Sequence, residues 1–261
     1  MTTTAAELLP VVDEMLVFAR NRLVKATMAD TVAGRDAYLA TIIGPFMAAL
    51  AEYFDAQAGR IALRVTKAIE PLWDPDLFDW SAEESELRAL LLRWVASIGV
   101  AGVGAASEQL AIDLAWDVSS PGVREMLAEV AQRVTGITDT SRRFIREMVD
   151  IATERGYSMA ELVAGVEADG FPGLGGLLRS WGSSTGRAHM IALTESAVYW
   201  NRSTLIAYEQ SGLVDEVTVF DGVLDAPCAE ANGKTWTLDD AMASPIAHPN
   251  CQRAFAAVVA R

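Results

Sequence analysis

The sequence predicts a mainly α-helical protein that closes with a small α+β module, a long helix followed by a short antiparallel sheet. Three observations predict it. Helix-start signals recur through the first two thirds of the 261 residues. Apolar residues in that region fall at spacings of three and four, the helical period. Polar–apolar alternation, the strand period, occurs only beyond about residue 212.

The composition narrows the function classes. Apolar residues make up 51% of the chain, enough for a real core, so a disordered chain is excluded. Against 35 Asp+Glu stand 21 Lys+Arg, a formal net charge of -14. A surface that acidic repels phosphate at long range, which disfavours sequence-specific nucleic-acid binding and attachment to an anionic membrane. Protein partners are the expectation. Two cysteines exclude a disulfide-stapled scaffold. The start, MTTTAAELLPVVDEML, carries acids at Glu7, Asp13 and Glu14 and no basic stretch, so no signal peptide is expected.

The elements follow in order. Thr4-Ala-Ala-Glu7, Ser81-Ala-Glu-Glu84 and Ser158-Met-Ala-Glu161 match the capping box, in which a hydroxyl and a carboxylate satisfy amide donors of the first turn. A long helical pattern from Asp36 to Glu70 is interrupted at Gly44-Pro45, where a kink or break is expected. A connector with Pro71 and Pro75 follows. The uncharged stretch between Arg93 and Glu108 is too short to span a bilayer and reads as a buried helix, with Gly99, Gly102 and Gly104 allowing close helix approach. Ser120-Pro121 starts another helix, and Gly136 and Gly156 read as stops. The seven tryptophans read as core or interface anchors, and Arg142, Arg143 and Arg146 as a solvated helix face.

Residues 1–170 are thus expected to be helical and residues 171–186, rich in glycine, to be a hinge. That stretch lacks the GxGxxG or GK[ST] pattern of a phosphate loop. Residues 187–261 form the third part. Arg187 to Ser211 reads as an amphipathic helix closed by Gly212, and VDEVTVF as a strand turned at Asp221-Gly222. A second turn at Asn232-Gly233, a short strand at Lys234–Leu238, a tight turn in AHPNC and a final strand in RAFAAVV complete the module.

The chemistry concentrates at the end. Both cysteines, Cys228 and Cys251, and one of the two histidines, His248, lie in the last 34 residues. Thiolates and an imidazole at such separations are what a tetrahedral zinc site uses, and Asp225 stands where a fourth ligand could come from. The alternative is a metal-free cluster of small core thiols beside a turn histidine. The two hairpin turns are expected to bring the three side chains together. Catalytic residues are not expected. A hydrolase or toxin-like effector using Cys251, His248 and Glu195 is the enzymatic alternative, and it would need a thiol of depressed pKa.

Thr194-Glu195 followed by Asn201-Arg202, then Asp221, then Cys228-Ala-Glu-Ala-Asn-Gly233-Lys234, then His248-Pro-Asn-Cys251-Gln-Arg253, form a familiar series. The pattern resembles the phage Mu F-like minor head protein family of tailed bacteriophages, over about residues 187–259 and more weakly from about residue 118. That family carries an arginine before T-E where this chain has Leu193, and a C-x-x-C whose first position is Asp225 here. The resemblance implies a non-enzymatic virion component, present in few copies at the portal vertex and capsid interior. Its implied roles are head assembly, DNA packaging or ejection. The portal and other head proteins would be its partners, with homo-oligomers in the particle and the host cytoplasm as its site of assembly. Glu195, Asn201, Arg202, Asp221, Gly233 and Arg253 would be motif residues of structure. No cofactor is expected: Asp225 stands where the family has a thiol, which favours the metal-free cluster, with zinc at Cys228, His248, Cys251 and Asp225 as the alternative. A cytosolic interaction module with a zinc-stabilised hairpin is the remaining class.

Overall fold

The computed structural model describes residues 31–67, 78–183, 186–221 and 225–259. Its helices are α1 (Thr31–Lys67), α2 (Trp80–Leu110), α3 (Pro121–Glu154), α4 (Met159–Ala164), α5 (Gly173–Trp181) and α6 (Arg187–Ser211). Then come β1 (Val214–Phe220), α7 (Ala226–Ala231), β2 (Thr235–Thr237), α8 (Leu238–Ala243) and β3 (Ala254–Val259). The protein is mainly helical with a C-terminal antiparallel sheet, as the periodicities predict.

Local chemistry sets the helix ends. At α4 the predicted box is formed: Ser158 Oγ accepts from the Glu161 amide at 3.3 Å, and Glu161 Oε2 accepts from the Ser158 amide at 2.7 Å. Helix α3 starts at Pro121, as read. The cap of α2 differs from expectation. Asp79, a stronger acceptor than the Ser81 hydroxyl, takes the Ala82 amide at 3.1 Å and the Ser81 hydroxyl at 2.8 Å. Gly156, at φ 67°, sits just past the end of α3, but Gly136 is no stop. Helix α3 continues through it, since a mid-helix glycine costs only about 0.5–1 kcal/mol. Helix α1 likewise continues through Pro45 without a break, held by the fully buried Phe46 and Leu50 just beyond it. The Thr4 box, Pro71, Pro75 and Gly222 lie outside the described residues.

The chain folds as two compact units that are not consecutive in sequence. One draws on residues up to Pro45, Leu91–Ala128 and Met190 onward; the other on Phe46–Leu90 and Glu129–His189. The expected division into 1–170, a hinge and 187–261 is therefore not the one observed. Its hinge carries α5 instead. A Cβ on Gly173 would lie 2.4 Å from the Gly165 backbone nitrogen, so these glycines let two short segments touch rather than swing.

In the second unit Glu83, 2% exposed, takes Arg60 at 2.6 Å and Gln57 at 3.0 Å. Arg187 lies over the rings of Phe54 and Trp181 and donates to Ser141 at 2.7 Å. Burial holds its guanidinium down to about 10.

The first unit is built around α6. The sequence reads this helix as amphipathic, yet nearly every residue from Glu195 to Tyr208 is buried. Alanines and serines on its flanks make room for neighbours on several sides, which turns a one-sided pattern into a central helix. The apolar stretch of α2 is one such neighbour. By length and composition α1 and α2 could each cross a bilayer, but 67% of the α2 window is buried within the protein. A Cβ on Gly102 would meet Ser203 Oγ at 2.1 Å and the Trp200 carbonyl at 3.0 Å, and one on Gly99 the Trp116 ring at 2.4 Å. Around Gly104 there is open space, so two of the three predicted glycines act as close contacts. Gly102→Ala is expected to cost about 1–3 kcal/mol by overpacking, read by chemical denaturation, while Gly104→Ala, in open space inside the helix, is expected to stabilise by about 0.5–1 kcal/mol.

Strand β1 is central, in the order β2-β1-β3, with Val217 opposite Trp236 on one side and Ala257 on the other. Val214, Val217 and Val219 turn inward onto Leu205, Tyr208 and Phe255. The expected β1–β2 hairpin is in fact a longer excursion through α7, and Leu238 begins α8 instead of ending a strand. Thr237 caps α8 by accepting the Asp240 amide at 3.1 Å.

Candidate metal centre

Two local devices place the candidate ligands. Asp225 is the N-cap of α7, its Oδ1 accepting the Cys228 amide at 3.0 Å, with Pro227 in the first turn where its missing N–H is harmless. This aims Cys228 off the start of the helix. The second device is the turn His248-Pro249-Asn250-Cys251. The Cys251 amide bonds the His248 carbonyl at 3.1 Å, and Asn250 takes φ 63°, a sequence suited to a type II turn. The turn sets His248 and Cys251 side by side.

The three donors converge. Cys228 Sγ lies 3.1 Å from His248 Nε2 and 3.8 Å from Cys251 Sγ. All three ligand atoms fall within 4.8 Å of one another, so the group could hold a metal ion. Metal–sulfur bonds of about 2.3 Å in a tetrahedron place two sulfurs about 3.8 Å apart, the separation seen here. His248 is oriented for the role. Its Nδ1 bonds the Pro249 carbonyl at 2.8 Å, which leaves the Nε2 lone pair of the neutral ring directed at the sulfurs. Asp225 Oδ2 stands 2.9 Å from the same Nε2.

The electrostatics of the cluster are shaped by its carboxylates and by burial. Burial, then the carboxylates of Asp221 and Asp225, push the Cys228 thiol well above its ordinary pKa. The Pro249 carbonyl and then Asp225 raise His248. Asp225 itself is held low by the Cys228 amide and side chain and by His248. Negative charge and donor lone pairs thus collect at one point. A divalent ion would reverse both shifts, displacing the protons from sulfur and imidazole.

A buried frame surrounds these groups. Asp221, whose side chain is fully buried, accepts from Cys251 Sγ at 3.4 Å and from Arg253 Nε at 2.7 Å. Arg253 also donates to the Ser244 carbonyl at 3.0 Å and covers the Trp236 ring. Asn201 Nδ2 donates to the carbonyls of Pro245 and Arg253, at 2.7 and 2.8 Å. Gly233, at φ 77°, donates to the Val219 carbonyl at 2.8 Å and returns the chain to the sheet.

Of the sequence-derived residues, Cys228, His248, Cys251, Asp225, Asp221, Asn201, Gly233 and Arg253 meet in this corner. Glu195 is buried in α6, and its neighbour Thr194 accepts the Asn250 amide at 3.0 Å. Arg202 lines a separate depression of about 380 Å³ with Glu125, Glu209 and Asp239. The three side chains meet as expected, and the His248-Pro249 turn contributes as read, while the Asp225 cap of α7 acts in place of the Asn232-Gly233 turn. No family model, curated protein or solved structure matches this chain. Sequence reasoning missed Arg35 and Ser244, which carry no motif and sit far from the ligands or in a loop. Thr194 was within the motif and could have been found from its hydroxyl.

Proposed function

We propose that this chain is a structural minor head protein of a tailed phage or prophage, and that one zinc ion held by Cys228, His248, Cys251 and Asp225 clamps its C-terminal module. The reading rests on the meeting of residues that resemble the Mu F-like pattern. The HPNC turn delivers His248 and Cys251 to Cys228, while Asn201, Asp221 and Arg253 lock the same corner from outside. A motif whose members support one local structure is a reason to keep the resemblance. Two soft thiolates with an imidazole favour zinc over the oxygen-seeking magnesium or calcium.

The enzymatic reading has less support. A nucleophilic Cys251 needs a base bonded to its sulfur to take the proton. The bond partners of Cys251 are Asp221 and Cys228, and those of His248 Nε2 are Cys228 and Asp225. The net charge of -14 favours docking on protein over coating DNA. In this role the protein works at the portal vertex and capsid interior, in head assembly, DNA packaging or ejection.

Co-expression with the portal and other head proteins encoded nearby, followed by pull-down and mass spectrometry of purified particles, tests the role. The chain is expected in the particle and on a head protein. Binding to DNA at physiological salt with no head protein retained would overturn it.

A further inference from the structure

The Cys251–Arg253 segment is gripped from an unexpected direction. Arg35, on the first described turns of α1, is 4% exposed and donates from one terminal nitrogen to two backbone carbonyls, those of Gln252 at 2.7 Å and Arg253 at 2.6 Å. Asp36 Oδ1, 2.9 Å from its Nε, supplies the counter-charge. The Arg253 carbonyl receives a second donor from Asn201. Both carbonyls follow directly on a candidate ligand.

A planar guanidinium bridging two successive carbonyls fixes the peptide planes between them. Those planes begin one residue beyond Cys251 and hold the strand that leads out of it. The other end of the same residue is fixed through Asp221, which accepts from its sulfur and is itself held by Arg253. Cys251 is thereby aimed before any metal arrives. Outer groups of this kind tune metal affinity by holding the ligand in its bound geometry.

We propose that Arg35 is a positioning residue for the metal centre, so that docking of the start of α1 and metal binding strengthen one another. The inference rests on the zinc reading above. Linkage makes the effect reciprocal: whatever α1 contributes to metal affinity, the metal returns as protection of α1. Only residues up to Pro45 are involved. Tyr38 anchors the same turns independently, its hydroxyl donating to the Ser97 carbonyl at 2.9 Å and its ring packing 5.4 Å from that of Trp200. Loss of Arg35 alone therefore leaves α1 attached.

The test compares full-length wild type, R35K and R35Q. Zinc dissociation constants come from competition with a chromophoric chelator, and cobalt spectra report the ligand set. R35Q is expected to bind zinc about 10–100-fold more weakly with an unchanged cobalt spectrum, and R35K to fall between. In the wild type, zinc removal is expected to speed amide exchange over residues 33–45. Equal zinc affinity of folded R35Q and wild type would overturn the coupling. Should R35Q not fold, unchanged exchange of those amides on wild-type zinc removal overturns it alone. Wild type that binds no zinc is seen before any variant is made, and it sinks the zinc reading and this inference together.

Discussion

Purified protein is expected to contain one equivalent of zinc, and chelation is expected to melt the segment between Asp221 and Cys251. Structural zinc contributes on the order of 10 kcal/mol at neutral pH to folds that depend on it, which is comparable with the whole stability of a domain. The elements of the segment are short, so their own backbone bonding contributes little. Helices α7 and α8 are six residues each and β2 is three. Isolated elements that short are not stable in water. The core around α6, with Val214, Val217, Val219 and Phe255, is independent of the ion and should survive. Elemental analysis, with circular dichroism and amide exchange before and after chelator, checks this. Acid should act as a weak chelator, since the raised His248 must lose its proton before Nε2 can bind metal. A metal-free cluster behaves otherwise. It ignores chelator and loses only a few kcal/mol on Cys228→Ala.

Arg253→Ala, with zinc in excess, is expected to cost about 3–5 kcal/mol. The Arg253–Asp221 pair is buried on both sides, with side-chain exposures of 3% and 0%. Removing the cation leaves an uncompensated carboxylate in the interior, and that desolvated charge is the main source of the loss. It also frees the Ser244 carbonyl and uncovers Trp236. The companion Asp221→Asn is nearly isosteric and removes the charge while keeping an acceptor for Arg253. In the double variant Arg253→Ala/Asp221→Asn the penalty should shrink, because no carboxylate then remains unpaired. Urea denaturation of the four proteins measures the coupling directly. Equal effects of Arg253→Ala in both backgrounds would show that packing on Trp236, not charge, is what matters.

The fold class was legible because it depends on periodicity, which the sequence displays locally. The Ser158 box, the Pro121 start and the strand alternation in VDEVTVF all act within a few residues, and each appears where read. The errors do not all share a cause. Asp79 outcompeted Ser81 as a cap, α5 filled a stretch read as a hinge, and α6 proved buried nearly all round. Asp79 stands only two residues before Ser81, but for α5 and α6 the deciding partner lies outside the window that suggested the reading. For Gly173 it is the Gly165 backbone, and for α6 it is helices distant in sequence. The candidate ligands were legible because cysteine and histidine are scarce here and fall together. Arg35 was not, because an arginine that will bond two carbonyls at a separation of 217 residues looks like any surface arginine.

The interleaved order of the two units has a consequence for how the chain is made. The unit that carries the candidate ligands takes its pieces from the start of α1, from the middle and from the last strand. On the ribosome Arg35 emerges 217 and 218 residues before its two carbonyl partners. Helix α6, apolar on most faces, must therefore be synthesised and kept from aggregating before β3 exists to cover it. Contacts this distant in sequence close slowly. Closure of the Cys228–His248–Cys251 corner needs the chain to have been made through Cys251, so its formation marks that α6, β1 and the HPNC turn have all been synthesised.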